Sequence, residues 1–127
     1  MNTFYSSVIA ERFRHPRFRG TLEAPGASAE GFNPLCGDRI RFEVRICEQR
    51  IEAVCYHGDA CAICLASADV LAERLEGRLC AEAHAVSVEQ IRGLLAADIT
   101  PSRLACVSLP LRTLLEAIAA AQTAASE

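Results

Sequence analysis

The chain has 127 residues and a formal charge of −3 with histidine neutral, and its isoelectric point is near 5.6. That length suits a single domain, 1–127, able to bury about two thirds of its unfolded surface without covalent staples. The acidic balance lacks the basic footprint of nucleic-acid binding, and no stretch reads as the ~20 apolar residues of a membrane span.

The opening "MNTFYSSVIAERFRHPRFRG" is polar at its start and charged by Glu11, with no apolar core followed by a small-residue cleavage site. A cytoplasmic location is therefore expected. Within it Phe4, Val8, Ile9 and Phe13 recur at helical spacing, so a short amphipathic helix is predicted, ending near His15-Pro16. Residues 17 to 33 are rich in glycine and small side chains and read as loop with a short edge strand. From Arg39 to Ile46 the alternation is strict, with Ile40, Phe42, Val44 and Ile46 against Arg39, Arg41, Glu43 and Arg45. This is the pattern of a half-buried strand with a solvated outer face. "CEQR" makes a turn, and "IEAVCYH" returns as the second arm of an antiparallel hairpin with Val54 and Tyr56 buried.

After Gly58 the period changes. "CAICLASADVLAERLEG" carries Ile63, Ala66, Val70 and Leu75 along one stripe, and Gly77 supplies a left-handed cap. Ser87 and Gln90 form a capping-box pattern for a short helix through about Ala97. Beyond Pro101, "SRLACVSLPLRTLLEAIAAAQ" predicts a turn of helix around Cys106, then a longer helix that admits Pro110 only in its first turn. The alanine-rich tail is expected to fray.

The chain contains seven cysteines. In a reducing compartment clustered cysteines bind metal or do chemistry more often than they form staples. Cys36 lies in a loop before a strand, Cys61 at a helix start and Cys106 at a loop or helix junction, and Asp38 offers a hard oxygen near the first. Three thiolates and a carboxylate suit zinc or an iron-sulfur cluster. The wide spacing of the cysteines matches no local metal motif, so buried small hydrophobes remain the competing reading. Cys64 makes a Cys-x-x-Cys with Cys61; it is a spare ligand, a redox partner or a core residue, with the core preferred. A thiol-disulfide redox protein built on that pair is a further reading, although the βαβ setting expected for one is missing. Cys47, Cys55 and Cys80 read as structural strand or turn residues. His57 could approach a metal but alternates off the buried face, and His15 and His84 read as surface groups.

Four blocks in order resemble a known family. "YSSVIAERFRHPRFRGTLE", "NPLCGDRI", "GDACAICLASADVLAERLEGR" and "RLACVSLPLRTL" look like the segments of the U-type iron-sulfur cluster assembly scaffolds, whose branches are IscU, SufU and the NifU amino-terminal domain. The resemblance runs from Tyr5 to about Ile118. It implies an α+β fold, a three-stranded antiparallel sheet with helices packed on one face. It implies Cys36, Asp38, Cys61 and Cys106 as metal and sulfur ligands, with Cys106 as the sulfur acceptor, Arg103 as a supporting cation, and Tyr5 as the family's amino-terminal tyrosine with a regulatory role in dimerisation. The implied activity is to accept sulfur from a cysteine desulfurase, build a transient 2Fe-2S cluster with iron, and pass it to apo-proteins, with a chaperone or iron donor as a further partner. The alternative is a zinc-dependent sulfurtransferase of the SufU type. Two departures bear on that choice. The residue before the third cysteine, a histidine in the IscU branch, is Ala105, whereas the interval from Cys61 to Cys106 leaves no room for the insertion typical of SufU. Ala60 also stands where the family usually has glycine, which would strain a positive φ there.

Overall fold

A computed structural model describes residues 6–24 and 26–126; Phe4 and Tyr5, and the contacts expected of them, lie outside the described residues. Helix α1 (Ser7–Arg14) opens the fold, with the Ser6 hydroxyl accepting the Ile9 N–H at 3.2 Å as its cap. Strands β1 (Ala27–Asn33), β2 (Asp38–Cys47) and β3 (Arg50–Asp59) follow as an antiparallel meander in the order β1-β2-β3. Then come α2 (Ala62–Leu75), α3 (Cys80–His84), α4 (Val88–Leu95), a turn of 3-10 helix (Pro101–Arg103) and α5 (Leu104–Ser126). This is the expected three-stranded sheet with helices laid on it.

The core lies between the sheet and the helices. Ile40, Phe42, Val44, Val54 and Tyr56 face inward from β2 and β3, and meet Ile63 and Leu71 of α2 and Val107, Leu114 and Ile118 of α5 in one continuous cluster. Helix α2 is buried almost all round, from Ile63 through Ala72, so its stripe is wider than the sequence pattern indicated. It is the central helix, sandwiched by its neighbours, and a helix of that kind shows little amphipathicity. Gly77 caps it at φ +84°, and the Ser87–Gln90 capping box forms as expected, although α4 stops at Leu95 with Ala96 left-handed.

Four expectations are corrected. First, the outer face of β2 is not uniformly solvated. Glu43 and, across the ladder, Cys55 are buried there, because residues 18 to 22 run over this face. Phe18 and Gly20 pair with the Tyr56 backbone, and the Leu22 N–H donates to the Glu43 carboxylate at 2.8 Å. Second, Cys80 begins helix α3 rather than lying in a strand or turn. Third, Pro110 sits in the interior of α5, which continues unbroken from Leu104 through the alanine-rich tail to Ser126. The proline leaves the Cys106 carbonyl without its helical donor, but Leu109, Leu111 and Leu114 are buried around it. Burial of that face outweighs one lost hydrogen bond. Fourth, the helical stretch Pro101–Thr123 is long and apolar enough to cross a membrane by length and composition, with a mean hydropathy of 1.6. It packs against β1, β2 and α2 as the core helix of this fold.

Candidate metal-sulfur site

Topology brings one end of the sheet to the site. Asn33 and Asp38 pair across β1 and β2, so residues 34–37 form the hairpin turn, and Arg39 pairs with Asp59, so the junction from β3 to α2 lies alongside. The turn is fixed locally. The Asn33 side chain accepts the Leu35 N–H at 3.0 Å, and its carbonyl accepts the Gly37 N–H at 2.8 Å. Gly37 has φ +79°, a left-handed conformation that a side chain would strain. Cys36 and Leu35 are thereby held outward, with Leu35 95% exposed at the rim. On the neighbouring strand Gly58 touches β2 so closely that a Cβ would run into the Arg39 carbonyl, which keeps the two junctions together.

Asp38, the first residue of β2, is buried. Its Oδ1 accepts the Cys61 N–H at 2.9 Å, tying the turn to the start of α2. Its Oδ2 is buried without a hydrogen-bond partner. Cys61 is the N-cap of α2, half-buried, and its Sγ accepts the Cys64 N–H at 3.4 Å. Ala60 has an ordinary backbone, since the positive-φ non-glycine residues among those described are Glu48, Gln49 and Ala96. The family's glycine at that place is therefore not required here. Cys106 projects from the first turn of α5 and is buried.

Ligand atoms of Cys36, Asp38 and Cys106 all lie within 4.8 Å of one another. Cys61 stands beside them, tied to Asp38 through its N–H and lining the same cleft. An open cleft of about 470 Å³ exposes the group, lined also by Asn33, Leu35, Ser102, Arg103 and Ala105. Burial first, then the adjoining Cys61, Asp38 and Cys36, push the Cys106 thiol up to about 12. It stays protonated at neutral pH until a cation or an electrophilic sulfur takes the proton's place. The orphaned Asp38 oxygen fits a cation, because a buried carboxylate oxygen without a donor costs free energy that a metal would recover.

Other sequence candidates fall elsewhere. His57 lies on the outer sheet face, 4.0 Å from Glu43, and not among the clustered ligands. His15 and His84 are exposed. Cys47 is exposed at the end of β2, and Cys55 is buried with its thiol pushed up to about 11 by burial and by Glu43 and Glu76. Cys64 is buried in the core as preferred, directly under Cys61. The sequence reading missed Asp69. This fully buried carboxylate accepts the Arg17 and Phe18 N–H groups and the Tyr56 hydroxyl, and pairs with Arg12 at 2.9 Å. It sits on the helical stripe of α2 among apolar residues, which was the available signal.

Comparison with known proteins places this geometry. The family model described as the NifU-like N terminal domain matches residues 4–126. The chain belongs to this family. A bifunctional NifU/MnmA protein of Rubrobacter xylanophilus is 32% identical over 78% of this NifU-like chain and 20% of its own length. The zinc-dependent sulfurtransferase SufU of Bacillus subtilis is 31% identical over 61% of the chain, which spans only 52% of that protein. The scaffold protein IscU of Streptococcus pyogenes is 30% identical over 93% of the chain and 84% of its own length. Among solved structures, a candidate cluster assembly scaffold for the SUF system of Fervidobacterium islandicum superposes with a TM-score of 0.77 at 25% identity, covering 90% of this NifU-like chain and 96% of that one.

Proposed function

We propose that this NifU-like chain is an iron-sulfur cluster assembly scaffold, acting in the cytoplasm. It would accept sulfur from a cysteine desulfurase, gather it with iron into a labile 2Fe-2S cluster, and yield the cluster to apo-proteins. The observation that carries this reading is the buried, unpartnered Asp38 Oδ2 beside the Cys36 and Cys106 thiols in an open cleft. Soft sulfur suits iron, while one hard oxygen in the set weakens the hold, which suits an exchangeable cargo better than a permanent one.

The chain's residues would act as follows. Cys106 attacks the outer sulfur of the desulfurase persulfide; the desulfurase thiolate leaves, and Cys106 carries the sulfane sulfur. Asp38 is the nearby base for the Cys106 proton. Cys36, exposed on its turn, makes first contact with incoming iron, and Cys61 and Cys106 complete the sulfur set around it. Arg103, at the cleft wall, balances the negative charge of sulfide and thiolates. Leu35, Phe32 and Phe13 leave apolar surface exposed, with Leu35 on the cleft itself, for a partner to cover.

A second reading is a zinc-dependent sulfurtransferase on the same residues, favoured by Ala105 in place of a histidine and by the similarity to the Bacillus protein. There zinc would rest on Cys36, Asp38, Cys61 and Cys106 and keep the thiols deprotonated. Anaerobic reconstitution with ferrous iron, cysteine and a desulfurase separates the two. The scaffold reading expects a visible chromophore that transfers to an apo-ferredoxin and is lost in Cys106→Ser. Tightly retained zinc, no chromophore and accelerated desulfurase turnover would establish the sulfurtransferase instead.

A further inference from the structure

A scaffold that receives sulfane sulfur must reduce it to sulfide, and the chain holds a dithiol placed for that step. We infer that Cys61 and Cys64 form an internal reductant, in which Cys64 attacks a persulfide carried by Cys61 and releases its outer sulfur as sulfide. The inference rests on the sulfur-accepting reading above.

Four observations carry it. Cys61 is the extended N-cap of α2 and Cys64 the third residue of the helix, the Cys-x-x-Cys placement at a helix start that dithiol redox sites use. The Cys61 sulfur is turned back over the first helical turn, where it accepts the Cys64 N–H at 3.4 Å. Cys61 and Cys106 line the same cleft, so sulfane sulfur received at Cys106 has a thiol acceptor in the same pocket. Beside the pair lies the buried Asp38 oxygen that lacks a partner and points to a ligand in the same pocket. Cys64 itself is fully buried. It is thus shielded from solvent oxidants and electrophiles, with Cys61 as the sulfur within its reach.

The chemistry balances in two steps. The Cys61 thiolate attacks the outer sulfur of the Cys106 persulfide, which returns Cys106 to a thiolate and leaves Cys61 as Cys61–S–SH. Cys64 then attacks the Cys61 Sγ: a Cys61–Cys64 bond forms, the bond to the outer sulfur breaks, and hydrosulfide departs, taking the Cys64 proton to become hydrogen sulfide. The two protein thiols are oxidised by two electrons in total, and the sulfane sulfur is reduced to sulfide. A second turnover needs an external dithiol to reopen the disulfide.

The test loads the full chain anaerobically with a desulfurase and a stoichiometric amount of cysteine that the desulfurase consumes, without iron or any other thiol, and reads sulfide together with intact mass after alkylation. The wild type is expected to give one sulfide per chain and to carry two fewer alkyl groups than the fully reduced chain, with fragmentation placing the bond between Cys61 and Cys64. Cys64→Ser and Cys64→Ala, both checked for native helix content by circular dichroism, should instead retain a persulfide about 32 Da heavier and release at least tenfold less sulfide. Cys47→Ser, exposed at the end of β2, is the wild-type-like control. A wild type that keeps its persulfide, a disulfide mapped elsewhere, or Cys64 variants that release sulfide as fast as the wild type would overturn the inference. Inorganic polysulfide in place of the desulfurase separates the two claims. If only polysulfide drives the Cys61–Cys64 bond, the scaffold reading fails and the dithiol stands; if both sulfur sources leave the pair reduced, the dithiol falls.

Discussion

At the scale of single residues, Asp38 has two tasks with opposite energetic signs. Its Oδ1 stabilises the start of α2 through the Cys61 N–H, while its partnerless Oδ2 costs stability in the folded chain. Asp38→Asn keeps an oxygen for the Cys61 N–H and puts a donor where the orphan was. The metal-free variant should therefore be more stable by about 1–3 kcal/mol. On the proposed ligand set, zinc affinity should fall at least tenfold, because a charged ligand would be lost. Urea unfolding and competition with a zinc chelator measure the two quantities; a variant that loses stability and keeps its affinity would show that Oδ2 is not the metal-facing atom.

At the scale of elements, the strap of residues 18 to 22 over the outer sheet face makes one strand pH-sensitive. The Leu22 N–H, opposed by burial and helped by Arg41 and His57, holds the Glu43 carboxyl below its ordinary 4.5. A carboxyl depressed in the folded state contributes stability above its unfolded value, and that contribution is lost as pH falls through the folded one. Wild type should exceed Glu43→Gln in stability at neutral pH, and the gap should close as pH drops below 4.5. Urea midpoints taken from about pH 6 to about pH 3 check this; a gap of constant size would mean that the carboxyl charge is irrelevant there. Pro110 belongs to the same scale. Read as an isolated helix, α5 should have begun at the proline, but the sheet underneath holds both flanks in one rod, and Cys106 is carried on it.

At the scale of the whole molecule, the amino-terminal helix, the strap, β3 and α2 converge on Asp69. Arg12, the Arg17 and Phe18 amides and the Tyr56 hydroxyl all spend hydrogen bonds on this one buried carboxylate. Burial first, then Asp69, push the Tyr56 phenol up, so it remains a donor at any working pH. Asp69→Ala leaves a hydroxyl and two amides without their acceptor and Arg12 with Glu73 alone, and should cost about 3–5 kcal/mol. Chemical unfolding monitored by tyrosine fluorescence would read it, and a loss below about 1 kcal/mol would reduce the cluster to the worth of a surface pair. Because α2 also carries Cys61, the same hub sets how firmly the site's second cysteine is held.

The sequence by itself marked most of the elements and nominated the donors. Alternation marked β2 and β3, and Ser87–Gln90 and Gly77 marked helix ends, since these depend on short-range periodicity and turn stereochemistry, while the blocks around Cys36, Cys61 and Cys106 pointed to the chemistry through their resemblance to the U-type family. Only the tertiary structure decided what depends on contacts between distant segments. The Oδ2 of Asp38 is an orphan because the β1–β2 turn meets the start of α2; Glu43 is buried because residues 18 to 22 cross it; Pro110 stays helical because the sheet supports α5; and Cys64 lies beneath Cys61 because the N-cap folds its sulfur back over the helix. Each is a balance of burial against an unmade hydrogen bond, and that balance is set only when remote parts of the chain pack together.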